Sequence, residues 1–141
     1  DKGTLKAGRN SGAVKITGGG FIIAGPDRSS IRAMQSDVRR RIAFYSSTRS
    51  YFPVLEAHGF LETGQQLHEM SLKGQWAEMG EVISDEMLDA FSVSGEYDEI
   101  ADKFLERYGG LLDEVSFTLV CQVPPEEGQM RKMVRRLQES G

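Results

Sequence analysis

The sequence predicts an α/β chain, mostly helical, in which two short strands of a parallel sheet lie far apart along 141 residues. Three observations lead there. The run Phe21-Ile22-Ile23-Ala24 is apolar without alternation and is bounded by three glycines before it and Gly25-Pro26 after it, the pattern of a strand buried on both faces. A second β-rich run, Val115-Ser116-Phe117-Thr118-Leu119-Val120, follows about 90 residues later. Most of the sequence between them repeats apolar residues at intervals of three and four, which is helical spacing.

The elements follow in order. Residues 1–10 read as the end of a helix, because Ala7-Gly8 runs into the stop cluster Arg9-Asn10-Ser11-Gly12. Residues 14–25 contain the first strand. A long helix over 29–48 is capped by Ser29 or Ser30 and carries Ile31, Met34, Val38, Ile42 and Tyr45 on one face. Residues 49–94 form a helical block: Thr63 and Gln66 make a capping box for one helix, Lys73-Gly74 ends it, and Trp76, Met79, Val82 and Ile83 share the face of another stretch. Ser84 with Asp85-Glu86 starts a further short helix. After Ser92-Val93-Ser94-Gly95, a helix within 95–110 carries Ile100, Ala101, Phe104, Leu105 and Tyr108 and stops at Gly109-Gly110. The second strand spans 115–121. Pro124-Pro125 and two acids open a terminal helix over 124–140, whose arginines lie toward its C-terminal end.

Composition narrows the function classes. Hydrophobic residues make up 39% and charged residues 27%, as in an ordinary soluble domain. A net charge of -4 removes the electrostatic footprint of a nucleic-acid binder. No apolar run approaches the roughly 20 residues of a membrane-spanning helix, and no signal peptide is visible. The single cysteine, Cys121, excludes an internal disulfide framework and fits a cytoplasmic setting. His58 and His68 have no carboxylate or cysteine at metal-ligand spacing, so no metal site is expected.

Two strands do not make a sheet that stands alone. A strand as apolar as Phe21 to Ala24 needs neighbours on both sides, supplied by residues preceding the chain or by another copy of it. A whole (β/α)8 barrel takes about 250 residues, so this length accommodates roughly its last quarter of strands with one large insertion. The expectation is a fragment of a longer protein.

Three stretches carry a family resemblance: Leu5-Lys6-Ala7-Gly8-Arg9 running into Ile16-Thr17-Gly18-Gly19-Gly20-Phe21; Arg39 to Thr48 followed by Tyr51, Pro53-Val54-Leu55-Glu56 and His58-Gly59; and Phe91 to Gly95 leading into Asp98-Glu99-Ile100-Ala101. In order and spacing they resemble the end of the luciferase-like monooxygenase superfamily, in particular its branch using the deazaflavin coenzyme F420. The resemblance implies a (β/α)8 TIM barrel of which residues 1–10 are the end of helix six, 14–25 strand seven, 29–48 helix seven, 49–94 the helical insertion and 115–121 strand eight. It implies F420, or FMN as the alternative, bound by the intact protein only, since cofactor contacts in that superfamily lie largely on strands absent from this chain. The sequence departs from the family pattern at Arg49-Ser50 and at Glu96-Tyr97.

Candidate sites follow from both readings. Gly18-Gly19-Gly20 precede their strand, whereas phosphate-cradling glycines follow one, so a structural turn is the better reading. Arg39-Arg40-Arg41 point about 100° apart on a helix and read as a solvated face. Cys121 is a small side chain beside a strand rather than a nucleophile. Trp76, Met70, Met79 and Met87 are at core spacing, although an insertion over a barrel mouth would let them line a pocket. Catalytic residues are not assignable. The substrate-pocket candidates are Tyr51, His58 and Arg49 in the insertion, with Tyr45 ranked behind them because a helix returning from a barrel strand ends low on the barrel. The strand ends at Gly25-Pro26 and Cys121-Gln122 point to the catalytic face.

The leading functional expectation is an oxidoreductase fragment whose intact protein passes a hydride between deazaflavin or flavin and a small organic substrate. Its expected partners are the missing N-terminal barrel half or further copies of the chain. The alternative is a non-enzymatic, self-associating helical module.

Overall fold

A computed structural model of the chain describes residues 2–10 and 14–139. Helix α1 (Lys2–Lys6) ends at Gly8, whose φ of +64° is the left-handed turn that glycine adopts freely. The stretch expected as one strand over 14–25 is two, β1 (Thr17–Gly18) and β2 (Phe21–Gly25), divided by Gly19-Gly20. Helix α2 (Arg28–Ser46) is capped by Asp27 and not by Ser29 or Ser30: the Asp27 carboxylate accepts the Ser30 N–H at 2.8 Å, since Ser30 already lies in the first turn.

A 3-10 turn (Arg49–Tyr51) leads into α3 (Phe52–Ala57), with Pro53 in its first turn, and α4 (Leu61–Leu72) follows after Gly59. Helix α4 starts at Leu61, so Thr63 lies inside it and forms no capping box. At Gly64 a Cβ would stand 2.4 Å from Leu55 Cδ1, so α3 and α4 approach closely there and a larger residue would displace the Leu55 side chain. The stretch around Trp76 contains only a 3-10 turn over Met79–Val82, and Trp76 itself is half exposed. Helix α5 (Asp85–Phe91) is capped by Ser84, whose hydroxyl accepts the Met87 N–H.

The largest departure from the sequence reading comes next. Ser92 to Gly95, placed by the sequence reading at the end of the helical block over 49–94 and the start of the segment 95–110, begins strand β3 (Ser92–Glu96), followed by α6 (Ile100–Tyr108). Two serines and a glycine carry little strand propensity; pairing along the whole length of β2 overrides it. Conversely the run 115–120, read as one strand, is broken into β4 (Glu114–Val115) and β5 (Leu119–Val120). Helix α7 (Glu127–Gln138) closes the described chain, its capping box made by Glu126 and Gln129.

All strand pairs are parallel. The short β1 pairs with β4, and the main sheet has the order β3-β2-β5, in which Ile22 and Ile23 face Leu119 and Val120. The parallel partnership expected of the two apolar runs is therefore present at those two positions. Alternate β2 residues enter two separate cores. Ile23 packs among Val38, Ile42, Leu55, Leu67 and Leu88 of α2 to α5, whereas Ile22 and Ala24 pack with Val93, Ile100, Phe104 and Met133 under α6 and α7. Connectivity accounts for this. The chain leaves β2 for β3 on one side, then returns past β2 to β5; with right-handed crossovers, reversing direction moves the connecting helix to the opposite face.

Ile23→Ala should cost about 2–5 kcal/mol in urea unfolding, because Ile23 is fully buried, while Leu72→Ala at a 76% exposed position should stay within about 0.5 kcal/mol. The Asp27 carboxyl is held below its ordinary value by hydrogen bonds from Ser30, and that of Glu99 is held down by Lys103 and the Glu96 N–H. Depressed carboxyls stabilise above their ordinary values of 3.8 and 4.5 and lose that contribution as pH falls through the lowered ones. Thermal midpoints followed from roughly pH 5 to 3 should thus fall less steeply for Asp27→Asn with Glu99→Gln than for the parent chain.

Candidate functional site

A cavity of about 440 Å³ opens beside the start of β2. Its floor is Gly19, Gly20 and Phe21; its walls are Ile42, Tyr45, Ser46 and Phe91, and α3 with the turn before it adds Tyr51, Val54 and Leu55. Local folding explains each contribution. Helix α2 runs back from the C-terminal end of β2, so its last turn delivers Tyr45 and Ser46 to the strand's beginning, and Phe91 arrives there as the residue before β3. Gly20 keeps the floor low, since a Cβ would approach the Phe91 carbonyl to 3.0 Å and the Tyr108 hydroxyl to 2.9 Å.

Among the expected pocket residues, Tyr45 and Tyr51 are brought together, ring centroids 5.9 Å apart and edge to face. His58 stands behind the wall with its ring 5.2 Å from that of Phe91. Arg49 is exposed on the 3-10 turn and does not line the cavity. Phe21, Phe91 and Val54 were not among the pocket candidates of the sequence reading. The glycine pair before β2 was the available signal, because backbone without side chains beside an apolar strand leaves space.

The wall holds neither a carboxylate nor a basic group, so it suits an uncharged apolar surface. The aromatic surface continues outside: Phe44 sits against Tyr45 and 6.0 Å from Trp76, and Phe44, Tyr45, Tyr51, Val54 and Trp76 are each about half exposed. His68 Nδ1 lies 2.9 Å from the Ser47 carbonyl, and no group of three metal-ligating side chains occurs among the described residues.

At the opposite end of the sheet β2, β3 and β5 finish at Gly25, Glu96 and Val120. There the buried Tyr97 donates its hydroxyl to the Val123 carbonyl. Burial pushes the Tyr97 phenol above its ordinary value, and the adjacent Cys121 pushes it further. The cavity and this strand-end surface are therefore on opposite sides of the fold. Among the described residues no helix is long and apolar enough to cross a membrane.

Comparison with known proteins was made against this geometry. Residues 1–114 match the family model of the luciferase-like monooxygenases. An uncharacterized protein of Mycobacterium tuberculosis is 38% identical over 114 residues, covering 81% of this chain and 34% of that protein. The 5,10-methylenetetrahydromethanopterin reductase of Archaeoglobus fulgidus is 28% identical over 111 residues, 75% of this chain and 32% of the reductase. In structure, the coenzyme F420 dependent tetrahydromethanopterin reductase of Methanopyrus kandleri superposes with a TM-score of 0.63 at 22% identity, over 99% of this chain and 38% of that one. The chain thus spans about a third of the length of these relatives. With its family model matched over most of its length, the chain belongs to the luciferase-like monooxygenase family.

Proposed function

We propose that the chain forms the C-terminal part of a (β/α)8-barrel oxidoreductase that passes a hydride between a deazaflavin, with flavin as the alternative, and a small organic substrate. The family match over residues 1–114 carries this reading. The three parallel strands of the main sheet, each followed by a helix, and relatives about three times longer support it. A closed barrel also requires a strand on the second edge of β3, which has none among the described residues.

The described residues do not by themselves fit a deazaflavin. The cavity is apolar, offers no cation to an anionic cofactor, and lies at the beginnings of the strands, whereas barrel chemistry takes place at their C-terminal ends. The cofactor supplies the hydride chemistry in such enzymes, and this chain contributes wall and strand ends to its housing. Titrating the 141-residue chain with F420 should give no fluorescence change and no turnover, and extending it to the relatives' length with the residues encoded beside it should restore both. Turnover by the unextended chain would overturn the fragment reading.

The half-exposed strip from Trp76 through Phe44 and Tyr45 to Tyr51 favours a second reading, a self-associating helical module. One substitution separates the two. In the extended enzyme, Tyr51→Ala should raise KM several-fold with kcat unchanged, because a contact remote from the reacting atoms binds ground and transition states alike. Its thermal midpoint should hold, whereas Leu55→Ala in the same wall, 2% exposed, should lower it by on the order of 5–10 °C. An unchanged KM together with weakened self-association in sedimentation would favour the module.

A further inference from the structure

Tyr97 stands one residue past β3 and reaches the ends of all three strands of the main sheet. Its N–H donates to the carbonyl of Gly25, the last residue of β2, at 3.2 Å. Its hydroxyl donates to the carbonyl of Val123, beyond β5, with Cys121 adjacent. Strand β2 lies between the other two. Neighbouring strands are about 4.8 Å apart, so β3 and β5 stand roughly 9.6 Å from each other, too far for their backbones to bond. Only a long side chain crosses that distance.

The segment that Tyr97 reaches has few other ties. Pro124 and Pro125 carry no N–H, and among the described residues the Tyr97 hydroxyl makes the one hydrogen bond to residues 122–125. The segment is otherwise held at its two ends, by the pairing of Leu119 and Val120 with β2 and by the capping box of Glu126 and Gln129 at α7. Gln122 and Val123 are exposed. Tyr97, in contrast, is 5% exposed and belongs to the core formed with Ile100 and Phe104 of α6 and Met133 of α7, so the side chain that does the holding is itself fixed. Burial, and then Cys121, hold its phenol above the ordinary value, which keeps it a donor throughout the neutral range.

We propose that Tyr97 is a positioning residue: it joins the C-terminal ends of β2, β3 and β5 and thereby fixes residues 121–125 at the end of the sheet where a (β/α)8 barrel meets its substrate. The phenol acts without touching the substrate. It keeps in one place a segment that otherwise has to be ordered at the moment of binding, and ordering a loop at that moment weakens affinity. The substrate side of this inference rests on the barrel reading; the clamp between the strand ends does not.

Tyr97→Phe keeps the buried ring and removes only the hydroxyl, and Cys121, the single cysteine of the chain and half-buried, reports on the segment. In the 141-residue chain, alkylation of Cys121 by iodoacetamide should be roughly five-fold faster in Tyr97→Phe than in the parent, the factor that about 1 kcal/mol for one lost hydrogen bond corresponds to. Ile83→Val in the other core is the control, since it loosens the fold by a similar amount without touching the segment and should leave the alkylation rate at the parent's. In the extended enzyme the KM of Tyr97→Phe should rise by up to the same factor with kcat unchanged, because only the fraction of molecules with the segment in place binds well. A parent rate of alkylation in Tyr97→Phe, or an equal acceleration by Ile83→Val, overturns the proposal. So does an unchanged KM beside accelerated alkylation. An extended parent enzyme without turnover on F420 or FMN counts against the oxidoreductase reading instead, and the clamp then stands or falls by the alkylation ratio.

Discussion

The whole arrangement depends on burying five residues of backbone, Phe21 to Gly25, from both sides and along both edges. Ile22, Ile23 and Ala24 are completely inaccessible, so every peptide group among them must find its partner within the protein. Strand β3 satisfies one edge over its full length, while β5 satisfies only part of the other. Two faces call for two helical layers. Helices α2 to α5 cover one and the α6 and α7 pair covers the other, and that pair is fastened on its outer side by Arg136 to Asp102 at 2.6 Å and Lys132 to Asp98 at 3.2 Å. Such exposed pairs add little stability.

Much of this could be read from the sequence where a residue's role is local. The unbroken apolar run announced β2, helical spacing announced α2 and α6, and Ser84 announced the start of α5. What could not be read was tertiary. Ser92-Val93-Ser94-Gly95 has the composition of a linker and becomes a strand because β2 offers it a complete set of partners. Val115 to Val120 has the alternation of a strand and is split because its two ends pair with different sheets. Asp27 outcompetes two serines for the cap through its position one residue ahead of the helix. The cavity was partly legible: helix-end tyrosines were visible, but Phe91 joins them only through the turn into β3, which was not recognised as a strand.

The placement of the cavity also separates two roles often assigned to one pocket. An apolar hollow at the strands' beginnings is distant from their ends, where Tyr97 and Cys121 meet. In a barrel the first end is structural and the second chemical. The aromatic side chains around Tyr51 therefore lie on the side of the sheet away from the strand ends.

The two cores meet only through the thickness of one strand layer, and this has a consequence for the way the molecule opens. Native-state fluctuations need not expose both cores at once. The layer of α6 and α7 can separate from the sheet, uncovering Ile22, Ala24 and Val93, while Ile23 stays enclosed by α2 to α5. Each layer then behaves as its own cooperative unit, with its own opening free energy below that of global unfolding. Proteolytic cleavage would accordingly concentrate in the segment from Gly109 to Asp113, where the outgoing layer is tethered.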